Sequence, residues 1–205
     1  MTNICVGQCV SALVALLALA AATPAAWAYD SAVMVNLGQS AIDYKEVDSF
    51  GQARSVKKDL GSWSIGYIGR FNNYFGFDVR WGGAGSASSS GLTIQPGLFL
   101  SLLLRPSVPL GERVELYGLA GLTSLAVGRT TTSNTEEIIA RAATSVGIGA
   151  NFRITQHMAV GLEWVSYQRD VDFGPSSSSG AQNWTGVNQA KVSLGSIAAN
   201  FKYQF

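Results

Sequence analysis

The chain has 205 residues, of which 47% are hydrophobic and 13% are charged, and its formal net charge is +1. This length favours one domain, and the near balance of 14 basic and 13 acidic residues argues against the clustered basic excess of a nucleic-acid-binding protein. Both cysteines, Cys5 and Cys9, lie near the start of the chain, which excludes a structural disulfide from the rest of it.

The amino terminus has the pattern of a cleaved export signal. Val10 to Ala22 are almost all Ala, Val and Leu, a run typical of the hydrophobic core of a signal peptide and short for a membrane span. Ala26-Trp27-Ala28 follows, and small residues at its first and third positions suit signal peptidase. We therefore predict a signal peptide over residues 1–28 and a folded domain over residues 29–205. No Lys or Arg precedes Lys45, which leaves a hydrophobic anchor helix as the alternative.

After the predicted cleavage site, apolar and polar residues alternate with a period of two, the pattern of β-strands with one oily and one polar face. The clearest strand sets Phe75, Phe77, Val79 and Trp81 against Gly76, Asp78 and Arg80. Other alternating segments are Gly97–Arg105, Ser145–Ile154, Val160–Trp164 and Asn200–Phe205, with less regular ones at Ser31–Asp43, Ser62–Phe71 and Val114–Val127. Together they predict about eight strands. In the segment Ser31–Asp43, which is the first in chain order, Met34 and Ile42 interrupt the polar face.

The predicted connections alternate in length. The short ones are Asn72-Asn73, Pro106–Arg113 and Thr155–His157. The long ones, rich in Ser, Thr, Gly and charge, are Tyr44–Gly61, Gly82–Gly91, Arg129–Ala140 and Asp170–Val187. Outer-membrane barrels have this asymmetry, with short turns in the periplasm and long loops outside the cell.

The sidedness of the strands predicts an all-β fold, a closed antiparallel transmembrane β-barrel of meander topology. In hydrocarbon every backbone N–H and C=O must be paired within the protein, so a sheet spans a membrane only if it closes. The faces opposite the apolar residues are rich in Gly, Ser, Asn and charge, which a soluble sandwich does not bury in quantity. A soluble lipocalin-like barrel with an apolar interior is the alternative. Glycines are expected to make room for long side chains inside so narrow a barrel; they are Gly76, Gly121, Gly147, Gly149 and Gly161.

Aromatic residues fall toward the ends of the predicted strands, as expected for girdles at the two membrane interfaces. The outer girdle is predicted to contain Trp63, Trp81, Trp164 and Tyr167. The inner girdle is predicted to contain Phe71, Tyr74, Phe75, Phe152 and Phe205.

Three segments carry a family resemblance: Gly66–Asp78, Pro109–Arg113 with Leu116–Leu122, and Asn200–Phe205. In them the chain resembles the OmpA-like family of outer-membrane β-barrel domains. The resemblance implies an outer-membrane location and contact with outer-membrane lipids and lipopolysaccharide. It also implies that the last strand, through Phe201, Tyr203 and Phe205, is the signal read by the barrel assembly machinery.

The charged residues predicted to face the lumen form the candidate site. They are Asp78, Glu115 and Glu163 with Arg70, Arg80, Arg105, Arg153 and Lys202. Charges that face a narrow lumen must pair to offset the loss of solvation. We therefore predict a network of salt bridges that plugs the barrel, with a gated, weakly conducting pore as the alternative.

No catalytic, metal or cofactor site is predicted. The one histidine, His157, falls in a short periplasmic turn without a neighbouring serine, whereas a lipid hydrolase would need His and Ser near the outer leaflet. Asp170-Val171-Asp172 offers two carboxylates, too few to hold a divalent cation. We expect a non-enzymatic protein with a structural or surface-interaction role, whose long loops meet an extracellular ligand. The alternatives are a narrow channel, or sideways release of small apolar solutes, and a lipid-modifying enzyme.

Overall fold

The described part of the chain is almost entirely antiparallel β-strand. The computed structural model describes residues 30–89, 91–131, 136–173, 184 and 186–205; the predicted signal peptide and much of the predicted last loop lie outside these residues. The strands are β1 (Asp30–Asp48), β2 (Ala53–Arg70), β3 (Phe75–Ala84), β4 (Ala87–Ser89), β5 (Leu92–Leu110), β6 (Val114–Thr131), β7 (Glu136–Arg153), β8 (Met158–Asp172) and β9 (Val187–Gln204). Among the described residues, no helix has the length and apolar composition needed to cross a membrane.

The sheet closes on itself. Hydrogen-bonded neighbours follow the order β3-β2-β1-β9-β8-β7-β6-β5-β4, and β3 also pairs with β5. The short β4 continues the register of β3 along β5, since Gly83 pairs with Leu98 and Ala87 pairs with Ile94. Strands β3 and β4 are therefore two segments of one interrupted strand. Counted in this way, the closed ring is a meander barrel of eight strands. The predicted fold class is confirmed.

The strands are longer than the sequence pattern predicted. Strands β1 and β5 have 19 residues each, whereas ~9–11 residues of strand cross a membrane. The prediction of a long loop at Tyr44–Gly61 is wrong, because β1 and β2 run through it to a turn at residues 49–52. Much of Arg129–Ala140 is strand as well. In Pro106–Arg113, β5 continues to Leu110 and leaves a turn of three residues, 111–113.

The barrel has two distinct ends. The lower end carries the turns at residues 71–74, 111–113 and 154–157, which include two of the predicted short connections. The upper end carries the turn at residues 49–52 and the connection between β4 and β5, which contains Gly91. This division confirms that neighbouring connections lie at opposite ends.

In the lower half, apolar side chains face outward and polar side chains face inward. On β3, Asp78 and Arg80 are buried, whereas Phe75 and Trp81 are exposed. Three tryptophans lie on the outward face near its upper edge: Trp63, Trp81 and Trp164. The predicted inner girdle is exposed at the lower edge: Phe71, Tyr74, Phe75, Phe152 and Phe205. An outward apolar band between two aromatic girdles is the surface that lipid requires.

In the upper half, the sidedness reverses. On β1, Leu37 faces outward and Asn36 inward, but higher up Tyr44 is buried and Lys45 is exposed. The buried apolar side chains of this half form one cluster, the upper core, which includes Ile42, Tyr44, Val56, Leu60, Leu92, Ile94, Leu125, Val127, Val192 and Leu194. An apolar interior with a polar exterior is the arrangement of a protein in water. The exterior of the lower half is therefore suited to the hydrocarbon of a membrane, and the exterior of the upper half is suited to water beyond it.

Hydroxyl and amide side chains occupy the interior where the sidedness changes. The Ser101 and Thr123 hydroxyl oxygens lie 2.7 Å apart, Ser145 Oγ donates to Thr123 Oγ1 at 2.6 Å, and Asn36 Nδ2 donates to Ser64 Oγ at 2.7 Å. This hydroxyl layer lies between the charged lower lumen and the upper core, and the rings of Phe99 and Tyr167 pack beside it.

The prediction that Tyr167 belongs to the outer girdle is wrong. Tyr167 is 3% exposed, and its ring lies 4.5 Å from that of Phe99 inside the barrel. Because Tyr167 is three residues from the outward Trp164, the period of two places the two rings on opposite faces. By the same parity Met34 and Ile42, which interrupt the polar face of β1, are buried inside the barrel.

Thiol labelling tests the reversal. The described residues contain no cysteine, since Cys5 and Cys9 precede them. Asp59 is exposed on the upper part of β2, whereas Val56 is buried in the upper core. We expect Asp59→Cys to react with a membrane-impermeant thiol reagent on intact cells and Val56→Cys to stay unreactive until the protein is denatured. Equal labelling of the two variants would contradict the apolar upper core.

Candidate functional site: the charged lumen

Two carboxylates from different strands hold the Arg80 guanidinium at the centre of the lower lumen. Arg80 Nε donates to Asp78 Oδ1 at 3.0 Å, and Arg80 Nη2 donates to Glu163 Oε2 at 3.1 Å. Further contacts join Arg80 Nη2 to Asp78 and Nη1 to Glu163. The Arg80 and Asp78 side chains are fully buried, and that of Glu163 is 2% exposed. Since β3 and β8 are not neighbours in the ring, this triad bridges the lumen.

Glu115 gathers a second set of partners nearer the lower end. It forms ion pairs with Arg70 and with Lys202, whose Nζ lies 3.0 Å from Glu115 Oε2. Asn151 Nδ2 also donates to Glu115 Oε2, at 3.1 Å. One carboxylate therefore serves two close cations from β2 and β9.

Arg105 lies between these two groups and contacts both at distances longer than a hydrogen bond with good geometry. Its Nη1 is 3.5 Å from Asp78 Oδ2, its Nη2 is 3.8 Å from Glu115 Oε2, and its guanidinium carbon lies 3.4 Å from the centroid of the Tyr117 ring. The contact with Tyr117 is a cation–π interaction, which is favourable because the planar guanidinium group stacks on the face of the ring. Among the described residues, none accepts a hydrogen bond from the Arg105 Nε, Nη1 or Nη2 atoms.

Tyr117 joins the network through its hydroxyl group, which donates to Glu163 Oε2 at 3.0 Å. Asn200 Nδ2 donates to the Tyr117 hydroxyl at 3.2 Å. The ring covers Gly149, where a Cβ atom would overlap it. The expectation that inward glycines make room for long side chains is confirmed here. The sequence reasoning missed Tyr117, Asn151 and Asn200.

Filling the space over Gly149 is expected to disturb the network. Gly149→Ala places a methyl group where the Tyr117 ring lies, and overpacking of this kind costs ~1–3 kcal/mol. We expect a lower urea midpoint for folding into lipid vesicles. Ala150→Val, on the outward face of the same strand, is the control and is expected to stay close to the parent. Equal midpoints for Gly149→Ala and the parent would show that the ring moves away without cost.

The structure brings together Asp78, Arg80, Arg70, Arg105, Glu115, Glu163 and Lys202, seven of the eight residues predicted for the network. Arg153 does not join them. It is the last residue of β7, exposed at the lower end, and its side chain forms no ion pair with any described residue.

A second ion pair lies in the upper half, in segments that the sequence pattern placed in loops. Arg129 Nε lies 2.8 Å from Glu46 Oε2, and the Tyr44 hydroxyl donates to the same oxygen at 2.5 Å. Both charged residues are buried. A period-two arrangement of Ile42, Tyr44 and Glu46 was the available signal that β1 continues upward.

The residues considered for catalysis and metal binding are not gathered into a site. His157 Nδ1 lies 3.1 Å from the Gln204 carbonyl oxygen in the lower turn. Asp170 Oδ1 is 3.5 Å from Ser193 Oγ. The described ranges contain no group of three or more His, Cys, Asp or Glu side chains arranged to hold a metal ion. That the protein is not an enzyme stays a prediction.

The three aromatic residues predicted to form the assembly signal lie at the end of the chain with their side chains exposed. Phe201, Tyr203 and Phe205 are exposed on the outward face of the last strand, and Tyr203 packs edge-on against Phe205 at 5.7 Å between ring centroids. Recognition of this face by the assembly machinery stays a prediction.

The interior is arranged in three layers: the charged network, the hydroxyl layer and the upper core. Between the charged network and the upper core lies a cavity of about 10 Å³, which is room for about one water molecule. The main chemical feature of this interior is the pairing of buried charged side chains. The described interior suits a packed plug better than a water-filled passage.

Comparison with known proteins agrees with this architecture. The family model of the outer membrane protein β-barrel domain matches residues 11–205. A search of curated protein sequences finds no match. Among solved structures, the chain is similar to the outer membrane protein OprG of Pseudomonas aeruginosa, with 14% identity and a TM-score of 0.58 over 85% of this chain and 96% of that chain.

Two further structures share the fold. The attachment invasion locus protein Ail of Yersinia pestis has 15% identity and a TM-score of 0.52, covering 86% of this chain and 98% of that chain. The Neisserial surface protein A has 14% identity and a TM-score of 0.52, covering 85% and 97%. At these identities the likeness extends to the fold alone.

Proposed function

Because the chain belongs to the outer membrane protein β-barrel family, we propose that it is a closed scaffold of the outer membrane whose upper end makes contacts outside the cell. The observation that carries the proposal is the filled interior. Arg80 is held between two buried carboxylates, and above it the lumen is occupied by the hydroxyl layer and the upper core. A barrel filled in this way offers its surface, rather than its lumen, for function.

The orientation follows from the ends of the barrel. In outer-membrane barrels the short turns face the periplasm, and the opposite end faces outside. The lower end carries the turns at residues 71–74, 111–113 and 154–157. The lower end is therefore assigned to the periplasm, and the upper half, with its water-facing exterior, is assigned to the cell surface.

The turn between β1 and β2 is the candidate contact point. Asp48 Oδ1 accepts hydrogen bonds from the backbone N–H groups of Phe50 and Gln52, at 2.9 and 2.8 Å. Gly51 supplies the positive φ of +79° that the turn requires. The turn holds Phe50 in water with 89% of the residue exposed. Covering such a side chain with an apolar partner removes its surface from water, which is favourable. Phe50 is the residue proposed to meet an extracellular ligand.

Lipopolysaccharide is the proposed lipid partner. Lys45 on β1 pairs directly with Lys191 on β9, and Lys57 lies on the adjacent β2; all three residues are exposed above the tryptophan girdle. Like charges directly opposite on neighbouring strands are destabilising. Asp43 lies 3.5 Å from Lys45 and Asp172 pairs with Lys191 in register, so part of that cost is already offset. An anionic group of lipopolysaccharide placed against Lys45 and Lys191 would lower it further.

Electrical recording and surface variants test the proposal. We expect purified protein in planar bilayers to give no conductance steps. Steps in the parent protein would support the alternative, a narrow channel.

On cells, Phe50→Ser with Lys45→Gln and Lys191→Gln is expected to increase sensitivity of the envelope to detergent, with outer-membrane levels unchanged. A variant at the exposed Ser88 and the half-buried Thr93, whose hydroxyl oxygens lie 2.9 Å apart, is the control. Unchanged sensitivity would count against a surface role.

A further inference from the structure

The lower end of the lumen opens into a cavity of about 580 Å³, which we call the lower vestibule. Glu115, Arg70 and Lys202 form its inner wall, and Arg113 and Arg153 lie at its rim with Glu112. The two rim arginines are exposed and form no ion pair with any residue that the structure describes. The cavity is therefore lined by more cations than carboxylates.

The charge of the network is unevenly distributed. Asp78 and Glu163 are both engaged closely by Arg80, and Asp78 also lies 3.5 Å from Arg105 Nη1. At the vestibule, by contrast, the single carboxylate Glu115 faces Arg70 and Lys202 directly. Buried charge is costly unless it is paired. The deficit of negative charge lies at the vestibule, where a soluble group has access.

Arg105 is an independent sign of the same deficit. It is 1% exposed, yet none of its three guanidinium nitrogens donates a hydrogen bond to a described residue. Its Nη2 lies 3.8 Å from Glu115 Oε2, the oxygen that also receives Lys202. Buried donors without acceptors are unfavourable. If an anion in the vestibule took over Arg70 and Lys202, Glu115 would be free to turn toward Arg105.

We propose that the lower vestibule binds a phosphate-type oxyanion, with Arg70 and Lys202 contacting it from the inner wall and Arg113 and Arg153 from the rim. Guanidinium groups suit this ligand because their planar N–H donors pair with two oxygens at once. The same chemistry is offered by free inorganic phosphate and by the headgroup of a phospholipid in the adjacent leaflet. This site is additional to the scaffold role, which does not require a ligand.

Calorimetric titration of the purified full chain with inorganic phosphate, in a neutral detergent and at constant ionic strength, tests the proposal. We expect saturable binding that Arg113→Gln with Arg153→Gln weakens by about tenfold or more, since charge-assisted contacts are lost. Both arginines are exposed and unpaired, so the urea midpoint of this variant should match the parent. Lys58→Gln with Arg169→Gln, which removes two exposed cations at the upper end, is the matched control and should bind like the parent.

Two vesicle compositions separate the sources of phosphate. If a lipid headgroup is the natural occupant, phosphatidylglycerol in phosphatidylcholine vesicles will weaken phosphate binding relative to pure phosphatidylcholine. Equal binding in the two vesicles identifies a soluble oxyanion. The proposal is overturned if phosphate gives no saturable signal, or if the upper-end control weakens binding as much as the rim variant does.

Discussion

Neutralising Asp78 and Glu163 together, as Asp78→Asn with Glu163→Gln, is expected to lower the free energy of unfolding by ~3–5 kcal/mol. The two carboxylates surround the Arg80 guanidinium, and all three side chains are buried. Removing their charge leaves a cation in the lumen without a counterion, and Arg105 loses its 3.5 Å neighbour Asp78 as well. The measurement is the urea midpoint for folding into lipid vesicles, with planar-bilayer current recorded on the same preparation.

The matched control lies on the surface of the same barrel. Lys45 Nζ is 3.5 Å from Asp43 Oδ2, and the two side chains are 63% and 33% exposed. Asp43→Asn should therefore cost only ~0–1 kcal/mol. If the lumen variant keeps the parent's midpoint but conducts, water has entered to solvate Arg80, and the network acts as a gate. A lumen variant that matches the parent in both measurements would show that the triad contributes neither stability nor closure.

A third variant separates the charge from the packing. Replacing the triad together with Arg105 by apolar residues of similar size, as Asp78→Leu, Arg80→Met, Arg105→Met and Glu163→Leu, removes two carboxylates and two cations and so adds no uncompensated charge. Such replacements of buried ion pairs are often neutral or stabilising. We expect this variant to recover most of the stability that the double neutralisation loses. Equal loss in both would mean that packing, rather than unpaired charge, accounts for the effect.

The fold was predictable because the membrane imposes two strict conditions on a strand. Its backbone must pair within a closed sheet, and its outward residues must be apolar. Phe75 and Trp81 against Asp78 and Arg80 satisfy both conditions in plain sequence. The lumen register followed directly from that alternation, which is why seven of the eight predicted network residues meet.

The upper half was missed because the same period of two carries the opposite meaning in water. Tyr44, Val56 and Leu60 face the interior there, while Lys57 and Asp59 face outward. The segment Tyr44–Gly61 is rich in polar and charged residues, so its composition alone favours a loop. Spacing distinguishes the two cases, since inward apolar residues recur at even intervals along β1 and β2 as they do along a soluble sheet.

The polar members of the network could not be found by charge. Tyr117, Asn151 and Asn200 enter through hydrogen bonds to Glu163, Glu115 and to each other. Their inward direction was readable from strand parity, but their partners depend on which strands face each other across the lumen. The paired position of Gly149 opposite Tyr117 was the remaining clue, because a ring inside a narrow barrel needs a neighbour without a side chain.

Replacing Phe205 with Asp is expected to reduce the amount of protein in the outer membrane by about tenfold, a size that corresponds to ~1.4 kcal/mol of recognition free energy. Phe205, with Phe201 and Tyr203, forms the exposed outward face of the last strand. If that face is what the assembly machinery reads, a carboxylate at its end removes the apolar contact. The measurement is quantitative immunoblotting of outer-membrane fractions.

Two controls separate recognition from stability. His157→Ala alters a neighbour of the same strand, since His157 Nδ1 lies 3.1 Å from the Gln204 carbonyl. It removes the imidazole that stacks on Tyr203 at 6.2 Å between ring centroids, but it keeps all three residues of the aromatic face. Ile154→Asp places the same charge at another exposed apolar position at the lower end, where charged substitutions cost only ~0–1 kcal/mol near the interface. Both controls should reach the membrane at parental levels. If Ile154→Asp falls as far as Phe205→Asp, the loss comes from charge at the interface, and the last strand has no special role in assembly.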